Sequence, residues 1–175
     1  MARPWLVSLA MLTQTGCLLG EAPEYQSRRQ TPPVLLTSSA DPSLNRVIRV
    51  QTSETIEFKV LYRSEDAGDP MTAILFRDFR ADSDLPQIVN STEFEPSSNL
   101  YPDEGDPTQA VLSYNFRDSD KGCHSYTMML SHSSNVNVFR PRDNGDVALV
   151  TWWAAVQDEN GEPTDILVDE CGASQ

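Results

Sequence analysis

The sequence predicts an all-β fold, an antiparallel sandwich of about seven strands, on three observations. Residues 55–63 read TIEFKVLYR, with Ile56, Phe58, Val60 and Tyr62 on one side and Glu57, Lys59 and Arg63 on the other. A period of two over that length marks a half-buried strand. Clusters of Asp, Gly, Pro and Ser, such as SEDAGDP after that run, recur between apolar segments and supply turns. No segment holds a helical period over three turns, and no repeat of fixed length occurs.

The elements follow in chain order. Arg3 and the short apolar stretch from Trp5 to Thr13 have the form of an export signal. The stretch is shorter than the roughly 20 residues a spanning helix needs. LLGEAPEYQSRRQTPPVLLTSSADPSLNR follows, polar and with two adjacent prolines, and reads as a flexible tether. Val34, Leu35 and Leu36 could form a small strand that docks on the domain. From Arg46 the alternation begins, with RVIRVQ, then TIEFKVLYR, then TAILFRDF, where Ile74 and Phe76 share a face. Residues 81–107 are weakly patterned and carry Pro86, Pro96, Pro102 and Pro107. They predict a long connection with short edge strands at QIV and TEF. AVLSYNF and HSYTMMLSH restore the alternation, and NVNVF is a short strand or part of a hairpin. DVALVTWWAAVQ is apolar on both faces, which suits a central strand or one whose second face is covered. ILVDECG closes the chain as a short strand or an extended tail.

Thr15, Gly16 and Cys17 stand where small residues precede a cysteine, and the segment resembles the lipobox of bacterial lipoproteins. The resemblance implies a signal peptide over 1–16 and a diacylglycerol on Cys17. It also implies a lipidated tether over 17–45 and a location on the outer membrane, facing the periplasm or the surface. Of three cysteines, acylation of Cys17 leaves Cys123 and Cys171. Export would place them where a disulfide persists, closing a loop worth about 4 kcal/mol in the chain-entropy model. Two free thiols are the other reading.

IEFKVLYRSEDAGDPMTAILF resembles the second and third strands of bacterial immunoglobulin-like modules of the cadherin and PKD type, with Asp66, Gly68, Asp69 and Pro70 in the turn. DSDKGCHSYTMMLS resembles their sixth strand, with Asp120, Gly122 and Tyr126 as counterparts. The likeness implies an immunoglobulin-like domain over 46–175. Neither the third-strand Trp nor the cysteine placement of antibody domains is present, so a Cys123–Cys171 bridge would pin the C-terminal tail.

Function is less legible. A formal charge of −13 opposes nucleic-acid binding, which needs cations against phosphates. His124 and His132 would share a strand face about 26 Å apart, too far for one metal. In Ser131-His132-Ser133, neighbours point to opposite faces and form no dyad. Asp66, Asp69, Asp118 and Asp120 lie in predicted turns and are weak calcium candidates, as are the acidic groups 103–106 and 143–146. Solvated turns explain the same residues. Trp152 and Trp153 should point to opposite faces, so one ring could offer a partner surface beside Val150 and Val156. The reading is a non-enzymatic, lipid-anchored envelope protein with a structural or interaction role and no cofactor. The alternatives are a calcium- or glycan-binding module using the acidic loops, and a hydrolase whose residues carry no known motif.

Overall fold

Alternation becomes pairing in the computed structural model, which describes residues 30–66, 68–80, 86–95, 107–157 and 171. The strands are β1 (Val34–Asp41), β2 (Ile48–Gln51), β3 (Thr55–Arg63), β4 (Met71–Arg77), β5 (Gln87–Phe94) and β6 (Thr108–Asn115). They continue with β7 (Gly122–His132), the two-residue strands β8 (Val136–Asn137) and β9 (Arg140–Pro141), and β10 (Ala148–Gln157). Among the described residues no helix is long and apolar enough to cross a membrane.

Two sheets face one another. One has the order β1-β3-β6 and the other β2-β10-β7-β4-β5. Every pairing is antiparallel except that of β2 with β10, which is parallel. With β3, β4, β6, β7 and β10 at the B, C, E, F and G positions, this is the strand order of an immunoglobulin-like sandwich. Val34–Leu36, inside the stretch read as tether, belong to β1 and pair with Arg63, Tyr62 and Leu61 of β3. QIV and TEF, expected as separate pieces, belong to the single strand β5, which shifts register at Leu75/Phe76 of its partner. The count exceeds seven because β1 joins the sheet and the segment around NVNVF contributes two short strands.

The inward face of β3 meets that of the larger sheet in an aromatic centre. Phe58 stacks on Tyr126 with ring centroids 5.6 Å apart, and Trp152 lies 5.2 Å from Phe58. Phe116 and Tyr114 approach Tyr126 at 5.3 and 5.7 Å. In antibody domains the B and F strands carry the inter-sheet disulfide; here Phe58 and Tyr126, on the same two strands, pack ring on ring between the sheets. Trp152 is 1% exposed and donates from Nε1 to the carbonyl of Pro42 at 2.6 Å. It is therefore a core residue and not a surface contact. Val150 and Val156 lie on its side of β10 and are buried with it, so they make no patch around the other ring.

Tyr126 Oη is buried with no hydrogen-bond partner among the described residues. Burial first, and then the neighbouring Tyr114, push its phenol well above the usual value near 10. A raised acid favours its protonated form in the folded state. Its stabilising contribution is complete below the unfolded value near pH 10 and is lost as the pH climbs toward the folded one. Tyr126→Phe removes an unpaired buried hydroxyl, so urea denaturation at pH 7 should show stability unchanged or raised by about 1 kcal/mol. The decline in stability above pH 10 should be shallower in the variant than in the parent.

Candidate interaction surface

The larger sheet is apolar on its outer face too. Ile74, Phe76 and Met129 are buried there, with Phe79, Ile88, Val136 and Val147 packed against them. Ile74 and Phe76 do share a face, as expected, but it points away from the inter-sheet core. The β8–β9 hairpin packs over this patch. Its strands pair Val136 with Pro141 and Asn137 with Arg140, leaving Val138 and Phe139 as a two-residue turn. Both have positive φ, 46° and 65°. Such a turn favours Asn-Gly, because a side chain at positive φ crowds the backbone. A β-branched residue there is a genuine outlier. Both side chains are also open to solvent, Val138 at 83% and Phe139 at 44%.

Phe139 stands between two recesses. One, of about 320 Å³, has Phe76, Phe79, Met129 and Leu149 among its lining residues, and among the described residues its charged lining is Arg80 and Arg140. The other, of about 370 Å³, runs along β4 and β5 past Thr72, Ser91 and Glu93. Leu149, on the wall of the first, is 48% exposed.

A buried polar network fixes the base of the hairpin. Asn135 Nδ2 donates to Ser131 Oγ at 2.9 Å and to the Asp143 carbonyl at 2.8 Å, while its Oδ1 accepts from the Asp143 amide at 2.8 Å. Ser131 Oγ donates to the Asp146 carbonyl at 2.5 Å. His132 is fully buried, with Nδ1 2.7 Å from Asp146 Oδ1 and Nε2 3.2 Å from Ser64 Oγ. Asp66 Oδ2 lies 3.7 Å from the same Nε2 and accepts from the Thr31 amide at 2.7 Å. Gln30 bonds Asp69 and Ser134, each at 2.9 Å. The network thus joins the β3–β4 loop, the hairpin base and the incoming N-terminal segment. Ser64, His132 and Asp146 connect in the order of a nucleophile relay. A second carboxylate beside Nε2 and the full enclosure of the imidazole make this a structural junction.

The acidic candidates divide between two ends. Asp66 and Asp69 lie in that junction, just before β4. Asp120, at the far end of β4, pairs with Arg77 and accepts from Tyr114 Oη and the Arg117 amide, each at 2.8 Å. Asp118 pairs with Lys121 at 3.4 Å. Seven residues of strand separate the two sets by about 20 Å, so they do not converge on one ion. Among the described residues no group of three or more His, Cys, Asp and Glu is disposed to hold a metal. The acidic residues 103, 104 and 106 lie outside the described residues, as does Cys17. His124 and His132 share β7, and His124 Nδ1 lies 2.7 Å from Asp78 Oδ2.

Cys123 and Cys171 form a disulfide with Cα atoms 5.7 Å apart. Together with Val47, Ala155 and Trp153 they build a small apolar cluster on the outer face. Trp153 is consequently half-covered. Sequence reasoning missed Val138, Phe139, Arg80 and the buried role of His132. The one available signal was the apolar pair inside a segment already suspected of being a hairpin.

No family model and no curated protein matches the chain. Solved structures of similar shape include the RIG-5 IG1 homodimer, 20% identical, covering 73% of this chain and 99% of that one with a TM-score of 0.37. Domain 1 of VCBP3 from Branchiostoma floridae is 12% identical, covering 73% and 97%, with a TM-score of 0.44. A CARDB domain from Pyrococcus furiosus, solved in complex with di-metal ions, is 10% identical, covering 75% and 100%, with a TM-score of 0.40. The sandwich assignment rests on strand order and not on these likenesses.

Two stability tests follow from the junction and the turn. Asp146→Ala leaves the buried Nδ1 of His132 without its partner and should cost about 1–3 kcal/mol in urea denaturation. Ser64→Ala removes one partly exposed hydroxyl and should cost about 1 kcal/mol or less. Replacing Val138 and Phe139 together by Asn and Gly relieves two strained residues and should stabilise by about 1–3 kcal/mol.

Proposed function

We propose that this chain is a non-enzymatic interaction module, held to the cell envelope through a lipid on Cys17 and engaging a partner with the outer face of its larger sheet. One observation carries the interaction reading. The outer face exposes Val138, Phe139 and Leu149, with Phe139 and Leu149 lining one recess and Val138 and Phe139 the other, and water disfavours such exposed apolar side chains. The strain at the turn supports it, since a sequence free to relax would place Asn and Gly there. The anchor reading is supported by the lipobox-like segment alone.

Mass spectrometry of the mature protein should find Cys17 N-terminal and diacylated; an unmodified Cys17 removes the anchor. A photo-reactive residue at Leu149, activated in native membranes, should capture a discrete partner. The same residue at Glu57, on the exposed side of β3, should capture little. Capture from Glu57 with none from Leu149 would discard the proposed face.

A further inference from the structure

The second recess brings oxygens and an aromatic ring together. Thr72 and Glu93 stand directly opposite one another in the β4–β5 ladder, which sets their Cβ atoms about 5 Å apart on the outer face. Ser91, two residues before Glu93, shares that face and pairs with Ile74, adding a hydroxyl about 7 Å along the strand. Ser91 and Glu93 are exposed, and among the described residues no hydrogen bond or ion pair occupies their side-chain oxygens. Thr72 Oγ1 lies 2.7 Å from Ser133 Oγ, which fixes where the third oxygen points. Val138 and Phe139 of the strained turn line the same recess, whose volume of about 370 Å³ is within the range of small-ligand sites. We infer that this recess binds an uncharged oligosaccharide, with one sugar ring resting on Phe139 and its hydroxyls held by Glu93, Thr72 and Ser91.

The match is between two kinds of surface. A pyranose ring presents an apolar face of C–H groups and a rim of hydroxyls that each donate and accept. An aromatic face suits the C–H groups, because its negative π-cloud attracts their positive hydrogens. A carboxylate accepts from two neighbouring hydroxyls at once, through short charge-assisted bonds. Serine and threonine hydroxyls rotate to donate or accept as the rim requires. The turn accounts for the availability of the ring. Positive φ at both of its residues holds Phe139 beside the recess and 44% exposed, and backbone strain of this kind collects at ligand-binding positions. A lysine-bearing peptide would engage Glu93 and Phe139 but leave the two hydroxyls to water. An acidic saccharide would set a carboxylate against Glu93.

The inference rests on the interaction reading above, and the test separates the two. The full chain is titrated with four neutral sugars: cellotetraose, maltotetraose, mannotetraose and the N-acetylglucosamine tetramer. Tetragalacturonate and the acetylated peptide GKSKG serve as charged competitors. Binding and its place are both read from the methyl resonance of Thr72. At least one neutral sugar should bind and shift that resonance. For that sugar, Phe139→Leu keeps an apolar cover but loses the ring face, and should weaken binding at least tenfold with the melting temperature unchanged. Glu93→Gln, at an exposed side chain, should weaken it at least fivefold. Leu149→Ala, in the other recess, should leave the affinity within twofold. Failure of all four neutral sugars at millimolar concentration overturns the inference. So does tighter binding of tetragalacturonate or of GKSKG, or indifference to both Phe139→Leu and Glu93→Gln. If all four sugars fail while a photo-reactive residue at Leu149 still captures a partner, the saccharide is wrong and the face is right.

Discussion

A sheet that is apolar on both faces must be covered twice, and most of this molecule answers to that constraint. The inner face of β2-β10-β7-β4-β5 is covered by β1-β3-β6 through the Phe58, Tyr126 and Trp152 rings. Among the described residues no second sheet lies on the outer face. It is covered in two pieces, by the β8–β9 hairpin over Ile74, Phe76 and Met129, and by the disulfide beside Trp153, Val47 and Ala155. Among the described residues the recess beside Phe139 lies between these pieces. The proposed site is thus a consequence of how a two-faced sheet is capped by small parts.

Small covers need fixing, because a two-residue hairpin buries too little to hold itself. Asn135, Ser131, His132 and Asp146 supply that fixing with buried hydrogen bonds. Each bond adds modestly, but leaving a buried partner unpaired costs more than making the bond gains. The junction therefore resists piecemeal loss. It also explains why His132, at the end of β7, has no exposure.

Strands with alternation were legible down to their residues. β3 occupies the run TIEFKVLYR from end to end, and β10 was recognised as apolar on both sides. What resisted reading depended on contacts far apart in the chain. The faces of Trp152 and Trp153 alternate as expected, but which one entered the core was set by Phe58 and by the Pro42 carbonyl, each roughly a hundred residues away. Asp120 carried the mark of a turn residue, and its pairing with Arg77 across the sheet was invisible locally. The turn at Val138–Phe139 was hidden for a different reason: its residues are the wrong ones for its geometry. Local propensity finds turns that obey it, and functional sites are where it is overruled.

The Cys123–Cys171 bridge also determines how the domain would carry tension. A pull applied beyond Cys171 does not travel back along the chain to Gln157 and peel β10 away. It passes through the covalent link to Cys123, at the start of β7. β7 lies between β10 and β4, paired along most of its length with both. The load is therefore delivered to the most heavily bonded strand of the sheet, while β2 and β10, the parallel edge pair, stand outside its path.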